Sequence, residues 1–157
     1  MQDIRIAMIR MRSIVGNAER NIGVIGQFLA EAASRDVDIV CFPEWGINGY
    51  NAGDTSSPEP EQIPEPSTDR LSEIAAGAGI TFLALLPERD ESDIVYNTQI
   101  VFDSGGIGGV YRKTHVPMAE IGTWCHGGAL PVFNHPKARF GIEIYYDSHF
   151  SEVSTAL

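Results

Sequence analysis

Short apolar runs and alternating hydrophobic positions recur along this chain, and their spacing is typical of the strands and helices of an α/β protein. Residues 4–9 predict a first strand, apolar enough to be central in a covered sheet. Asn17 can cap a following helix, which presents one apolar stripe to that sheet. The stripe consists of Ile22, Ile25, Leu29 and Ala32. The apolar run at residues 39–42 predicts a second buried strand, so the first part of the chain forms a β-α-β unit.

A long irregular loop is predicted for residues 43–66, which contain several prolines and turn-forming residues. Loops of this length within a compact domain are usually functional or mobile. Ser67 or Thr68 is expected to cap the next helix, and Gly79 allows that helix to end. Residues 80–86 predict the strand that follows.

Two further strands are predicted at residues 95–102 and 110–113, joined as a hairpin by a glycine-rich turn at residues 104–109. Such glycines also suggest a dinucleotide-binding loop, but that motif requires a helix after the turn. Residues 110–113 have the pattern of a strand, which favours the hairpin. An irregular stretch at residues 114–128 and a short strand at residues 131–133 complete this region.

The segment at residues 138–152 combines a predicted buried strand with a turn and the start of a helix. Phe140, Ile142 and Ile144 alternate with less apolar positions, as expected for a strand. The pattern ends at residues 146–148, where polar side chains follow. Open α/β sheets bind ligands at the carboxyl ends of their strands, so we expect the chemistry of this protein to lie at this corner.

Composition describes one globular domain spanning residues 1–157, with 43% hydrophobic residues. Eleven basic and twenty-one acidic residues give a formal net charge of -10. This charge repels phosphate backbones and anionic lipids, so neither nucleic acid nor a membrane is an expected partner. No apolar run has the length of a signal sequence or a membrane helix. We therefore expect a cytoplasmic protein.

The cysteines and histidines do not form a recognised cofactor or metal motif. Cys41 falls in a predicted buried strand and Cys125 in a polar loop, so we expect two reduced thiols. The histidines have no zinc-ligand spacing and are expected in loops or on the surface. They are His115, His126, His135 and His149. No cofactor and no metal are predicted.

Glu44 and Lys113 are the first candidates for chemistry, because each follows a predicted strand. A carboxylate partly removed from water at a strand end suits a general base, and an ammonium group beside it can stabilise an oxyanion. Taken alone, each residue has an ordinary alternative: a loop glutamate, a solvated lysine, or a structural ion pair between the two.

Three motifs together resemble the nitrilase superfamily of carbon-nitrogen hydrolases. They are FPEW around Glu44, YRKTH around Lys113, and GIEIYYD at residues 141–147. The third motif resembles the family pattern G-x-x-I-C-Y-D, in which the cysteine is the nucleophile; here that position is Tyr145. The resemblance implies an α-β-β-α sandwich, covers about the first half of a family chain, and implies no cofactor. We therefore expect a truncated form of this fold.

The resemblance also implies roles for individual residues. In the family a Glu-Lys-Cys triad hydrolyses small amides, carbamoyl compounds or nitriles through a thioester. Glu44 corresponds to the glutamate that transfers protons, Lys113 to the lysine, and Glu120 to a second glutamate that helps to position the lysine and substrate. Residues 42–54 resemble the amidase and carbamoylase branches more closely than the nitrilases.

Tyr145 makes catalysis by the family route doubtful, because a phenol ionises less readily than a thiol and its ring takes up space that the substrate needs. Cys125 is an alternative nucleophile, and Cys41 is expected in the core. The competing hypothesis is a non-catalytic remnant, or a binding or partner subunit of the same fold. With half a family fold, residues 39–42 and 80–86 are expected to expose an apolar patch. We therefore expect a homodimer, with a smaller repacked two-layer unit as the alternative.

Overall fold

The structure, a computed structural model, describes residues 3–50 and 59–157, so part of the predicted loop at residues 43–66 lies outside the described residues. The described strands and helices alternate in the order expected of an α/β protein. In chain order they are β1 (Ile6–Met8), α1 (Ala18–Ala33), β2 (Ile39–Cys41), α2 (Pro66–Ala78), β3 (Thr81–Arg89), β4 (Val95–Asp103), β5 (Gly106–Arg112), β6 (Phe133–His135), β7 (Ala138–Phe140) and α3 (Ser151–Ala156).

Strands β1 to β5 form one mixed sheet in the order β1-β2-β3-β4-β5. The first three strands are parallel, and β3, β4 and β5 form an antiparallel meander. Helix α1 connects β1 to β2, which confirms the predicted β-α-β unit. The side chain of Asn17 caps α1 by accepting a hydrogen bond from the amide of Arg20 at 3.1 Å.

The sheet has an apolar layer on each face. Helices α1 and α2 cover one face, where the apolar stripe of α1 packs on alternate residues of the sheet such as Val40, Phe82 and Ile100. The other face is covered by loops and by the β6-β7 hairpin. This second cluster contains Ile39, Trp45, Leu83, Leu85, Val101, Tyr111, Trp124, Phe133, Ile142 and Ile144.

The glycine-rich segment is a hairpin turn, as predicted, but the turn is tighter than residues 104–109. Strand β5 already begins at Gly106, so only Ser104 and Gly105 separate it from β4. Gly109 has a φ of 151°, and a Cβ atom there would lie 2.9 Å from the ring of Phe133. The glycine in the strand therefore allows β6 to approach the sheet closely.

Two predictions are wrong, one about the position of a strand in the sheet and one about the start of a helix. The first strand is not central: β1 is the edge of the sheet, and Ile6 and Met8 are exposed. The described chain supplies no strand beyond it, so its apolar side chains remain uncovered. Helix α2 begins at Pro66, ahead of Ser67 and Thr68, because proline at the first helical position loses no hydrogen bond.

The predicted strand leading to Tyr145 is also shorter than expected. Only Ala138–Phe140 pairs, with Phe133–His135, in a separate two-stranded sheet. Residues 141–144 have no strand partner among the described residues. Ile142 and Ile144 are nevertheless buried, so the alternation reflects packing of one side of the segment on the sheet.

The predicted apolar patch at residues 39–42 and 80–86 is not exposed. Ile39 and Leu83 are less than 9% exposed and Leu85 is fully buried, because the loops and the β6-β7 hairpin cover this face. The expected dimer was based on an exposed apolar patch at these strands, and that expectation of exposure is wrong. Across the two described ranges, no helix is long and apolar enough to cross a membrane.

Candidate active site

Glu44 lies in a tight turn directly after β2. Within this turn Gly46 donates its amide to the carbonyl of Pro43 at 2.9 Å. Helix α1 contacts this turn, since the side-chain amide of the buried Asn21 donates a hydrogen bond to the carbonyl of Ile47 at 2.7 Å. The position of the Glu44 backbone thus depends on the β-α-β unit, and Glu44 follows a strand as predicted.

Lys113 directly follows β5, and its backbone is bonded on both sides. Its amide donates to the carbonyl of Asn97 at 2.9 Å, and its carbonyl accepts from the amide of Gly127 at 2.8 Å. A side chain at Gly127 would collide with the backbone of Arg112. The lysine side chain is fully buried, which is expensive for an ammonium group unless acidic partners surround it.

Two carboxylates meet the Lys113 ammonium. Its Nζ lies 3.2 Å from Oε1 of Glu44 and 3.6 Å from Oε2 of Glu120. Glu44 Oε1 also accepts a hydrogen bond at 2.8 Å from the side-chain amide of Asn97. The structure therefore brings together three of the four predicted site residues in one cluster with an excess of one negative charge.

Glu120 comes from the loop between β5 and β6, at the end of a short 3-10 turn (Met118–Glu120). Its backbone carbonyl accepts hydrogen bonds from the amides of Thr123 and Trp124, which close a turn within the loop. Glu120 Oε2 is buried and has no hydrogen-bond partner among the described residues. This oxygen lies 3.6 Å from Lys113 Nζ, and a carboxylate oxygen there can also accept a hydrogen bond from an amide or ammonium group of a ligand.

Tyr145, the fourth predicted site residue, stands at a sharp corner next to this cluster. Its φ of 38° lies in the left-handed region, which is unfavourable for a bulky side chain. The side chain is 68% exposed, and the Lys113 ammonium lies 5.8 Å from the centre of its ring. The ring therefore lies at the entrance to the lysine cluster and is not packed in the core.

Asp147 was missed as a structural centre in the sequence analysis. The carboxylate is fully buried and accepts hydrogen bonds from Tyr111, Thr114, His115 and the amide of Ile144, at 2.8 to 3.0 Å. It therefore ties the segment after Lys113 to the corner that carries Tyr145. The only sequence indication was its place two residues after Tyr145.

Asn97 was also missed, and it contacts both members of the Glu44–Lys113 pair. A polar residue within the predicted strand at residues 95–102 was the available indication. On an amphipathic hairpin, however, such a residue is expected to face water. Only the tertiary structure places this face of β4 beneath Glu44.

The two cysteines are free and lie outside the cluster. Burial raises the pKa of the half-buried Cys41 thiol. Cys125 is exposed and lines an open pocket of about 400 Å³ together with Trp124, His126 and Phe150. Among the described residues, no hydrogen bond joins its thiol to Glu44 or Lys113, and no three His, Cys, Asp or Glu side chains converge on a possible metal position.

A model of the carbon-nitrogen hydrolase family matches residues 5–157, almost the whole chain. The chain belongs to the carbon-nitrogen hydrolase family. The family predicted from the motifs around Glu44, Lys113 and Tyr145 is therefore confirmed.

Individual relatives agree with this assignment. The chain is 32% identical over 166 residues to omega-amidase NIT2 of Homo sapiens, covering 98% of this chain and 59% of that protein. It is 30% identical over 155 residues to the probable nitrilase C965.09 of Schizosaccharomyces pombe, covering 95% of this chain and 57% of that protein. The chain thus spans somewhat more than half the length of these relatives.

Solved structures confirm the nitrilase-like fold. The amidase from Nesterenkonia sp. AN1, in a mutant form with acrylamide added at its active-site cysteine, superposes with a TM-score of 0.85 at 20% identity. The match covers 96% of this chain and 61% of that protein. At this identity, the likeness concerns the fold alone.

Proposed function

We propose that this chain binds a small linear amide, carbamoyl compound or nitrile at the Glu44–Lys113–Glu120 cluster, and does not hydrolyse it at an enzyme-like rate. The observation that supports the binding is the fully buried Lys113 ammonium, held between two carboxylates. The observation that argues against turnover is the phenol at position 145, where the family motif has a thiol.

The cluster supplies two of the three functions needed for carbon–nitrogen bond hydrolysis. Lys113 donates to the carbonyl oxygen or nitrile nitrogen and stabilises the negative charge that develops on attack. Glu44 accepts a proton from the attacking group and returns it to the leaving amine. Glu120 holds Lys113 from the other side and accepts an N–H of the substrate.

The third function, the thiol nucleophile of the family motif, is absent at position 145, where a phenol stands instead. Its ring also stands 5.8 Å from the Lys113 ammonium, so a substrate bound to that lysine would lie next to a bulky side chain. The ligand is therefore retained near Lys113 without a covalent intermediate.

Ammonia release tests this proposal, with a panel of linear amides, N-carbamoyl amino acids and aliphatic nitriles. The unmodified chain is expected to release no ammonia above background, whereas Tyr145→Cys is expected to hydrolyse at least one class. Lys113→Ala in the Tyr145→Cys background is expected to abolish that activity. Calorimetry of the unmodified chain with the same compounds should show binding that Lys113→Ala removes.

Two results would contradict the proposal. Clear turnover by the unmodified chain would refute the non-catalytic interpretation, and loss of that turnover in Cys125→Ala would assign the nucleophile to Cys125. Failure of every compound to bind the unmodified chain would refute the ligand site itself.

A second proposal concerns assembly as a homodimer. The edge strand β1 exposes Ile6 and Met8, which are 57% and 86% exposed. An open strand edge with uncovered apolar side chains favours pairing with a second copy. Sedimentation equilibrium at micromolar concentration should show a dimer that Met8→Lys weakens. A monomer that does not bind a hydrophobic dye would refute it.

A further inference from the structure

The Glu44–Lys113 pair is connected twice through one residue of β4. The side-chain Nδ2 of Asn97 donates to Glu44 Oε1 at 2.8 Å, and its backbone carbonyl accepts the amide of Lys113 at 2.9 Å. Asn97 is fully buried, so neither contact competes with water. One residue therefore fixes the carboxylate of Glu44 relative to the backbone of Lys113.

The arrangement also distinguishes the two oxygens of Glu44. Oε1 accepts from both Asn97 Nδ2 and Lys113 Nζ, at 2.8 and 3.2 Å. No hydrogen bond within the described residues reaches Oε2, and the Glu44 side chain is 27% exposed. Two donors on one oxygen leave the other with free lone pairs for a proton.

The residues next to Asn97 and Lys113 along their strands share one buried carboxylate. The adjacent Thr98 donates to Glu88 Oε2 at 2.6 Å, and Arg112, next to Lys113, donates to both carboxylate oxygens of Glu88 at 2.9 and 2.6 Å. Glu88 is 5% exposed. Glu88 lies on β3, so these contacts tie β3 to both β4 and β5 beside the site.

We infer that Asn97 is a positioning residue, which directs Oε2 of Glu44 toward the substrate and keeps Oε1 bound to Lys113. Its role as an aid to proton transfer rests on the proposed function; the hydrogen bond to Glu44 does not. An amide suits this position because it donates a hydrogen bond at every pH, whereas a carboxylate at neutral pH would repel Glu44.

The first test needs no activity. The side-chain amide of Asn97 is followed by ¹⁵N NMR in the unmodified chain, and its resonances are assigned by their loss in Asn97→Asp. These resonances are expected to exchange slowly with solvent and to move in Glu44→Gln. Glu120→Gln, which alters the same cluster without touching Asn97, is expected to leave them nearly in place. Unmoved Asn97 resonances in Glu44→Gln would overturn the inference.

The second test uses amide hydrolysis in the Tyr145→Cys background. Adding Asn97→Leu is expected to lower kcat about tenfold, the effect of losing one hydrogen bond to a charged group, with KM nearly unchanged. Adding Asn97→Asp should lower kcat further at neutral pH. That second loss should shrink as the pH falls, because the protonated carboxyl group can donate to Glu44.

Gln99→Glu is the matched control, because Gln99 is a second buried amide on the same face of β4, and its Nε2 has no hydrogen-bond partner within the described ranges. It introduces the same charge and is expected to show no pH-dependent loss of kcat. The positioning role would be overturned if kcat depended on pH in the same way in Asn97→Asp and in Gln99→Glu. An unchanged kcat in Asn97→Leu would also overturn it. An inactive Tyr145→Cys chain would instead overturn the proposed function, and the NMR test alone would then decide on Asn97.

Discussion

The hydroxyl of Tyr111 donates a hydrogen bond to Asp147 Oδ2 at 2.8 Å, and both groups are buried. This contact joins β5, which precedes Lys113, to the corner that carries Tyr145. The other oxygen of Asp147 accepts from the backbone amide of His115 at 2.8 Å. The separation between Lys113 and position 145 is therefore set by one buried carboxylate.

Replacing Asp147 should destabilise the fold strongly. Asp147→Ala leaves several buried donors without an acceptor, so we expect the free energy of unfolding to fall by about 3 kcal/mol or more. Tyr111→Phe removes a single donor and should cost about 1–2 kcal/mol. Urea unfolding followed by circular dichroism measures both. Equal losses in the two variants would contradict the role of Asp147 as the centre of the network.

Stability should decline in alkali because of Tyr111. Burial, and with a smaller effect the hydrogen bond to Asp147, raise its pKa well above the ordinary value, although Thr114 opposes this. The unfolded chain therefore loses this proton first. The contribution of Tyr111 to the free energy of unfolding is therefore complete below about pH 10, the ordinary pKa of a tyrosine. Between that pH and the raised pKa of the folded state, the contribution falls by about 1.4 kcal/mol per pH unit.

Tyr111→Phe tests this pH dependence. Unfolding free energies measured from pH 9 to 11 should fall less steeply in the variant than in the unmodified chain. Tyr145→Phe is the control, because it removes a phenol hydroxyl from a residue that is 68% exposed. Parallel slopes in Tyr111→Phe and the unmodified chain would refute the prediction.

The two thiols should react at very different rates with a colorimetric disulfide reagent. Cys125 is exposed, whereas Cys41 is half-buried, and burial raises its pKa. Since the thiolate is the reacting form, we expect one fast and one slow phase under native conditions. Cys125→Ser should remove the fast phase only. A fast phase that persists in Cys125→Ser would mean that Cys41 is accessible.

The Glu88–Arg112 pair should contribute far more than a surface pair. Glu88→Gln weakens a bidentate contact to a buried carboxylate, and we expect a loss of about 1–3 kcal/mol in unfolding free energy. Glu73→Gln removes a comparable contact to Arg70 on the exposed side of α2 and should change stability by less than about 0.5 kcal/mol. Thermal and urea unfolding measure the loss of stability in both variants. An equal loss in Glu88→Gln and Glu73→Gln would contradict the prediction.

Local patterns in the sequence were sufficient for the β-α-β unit, the hairpin and the motifs around Glu44 and Lys113. Apolar periodicity and capping residues depend on neighbours within a few positions, so the single chain carries that information. The grouping of Glu44, Lys113 and Glu120 was predicted through the family motifs. Spacing along the chain alone left open whether Glu44 and Lys113 were ordinary surface or structural residues.

Tertiary structure decided which strands are covered and what holds the site together. Met8 looked like a core residue, yet it is exposed because β1 is the edge of the sheet. Residues 141–144 alternate like a strand but have no partner among the described residues. Asn97 forms a hydrogen bond with Glu44, and Asp147 forms one with Tyr111. Both partners lie far away in the sequence. No local pattern encodes such contacts, because a buried polar residue is recognised only once its partners surround it.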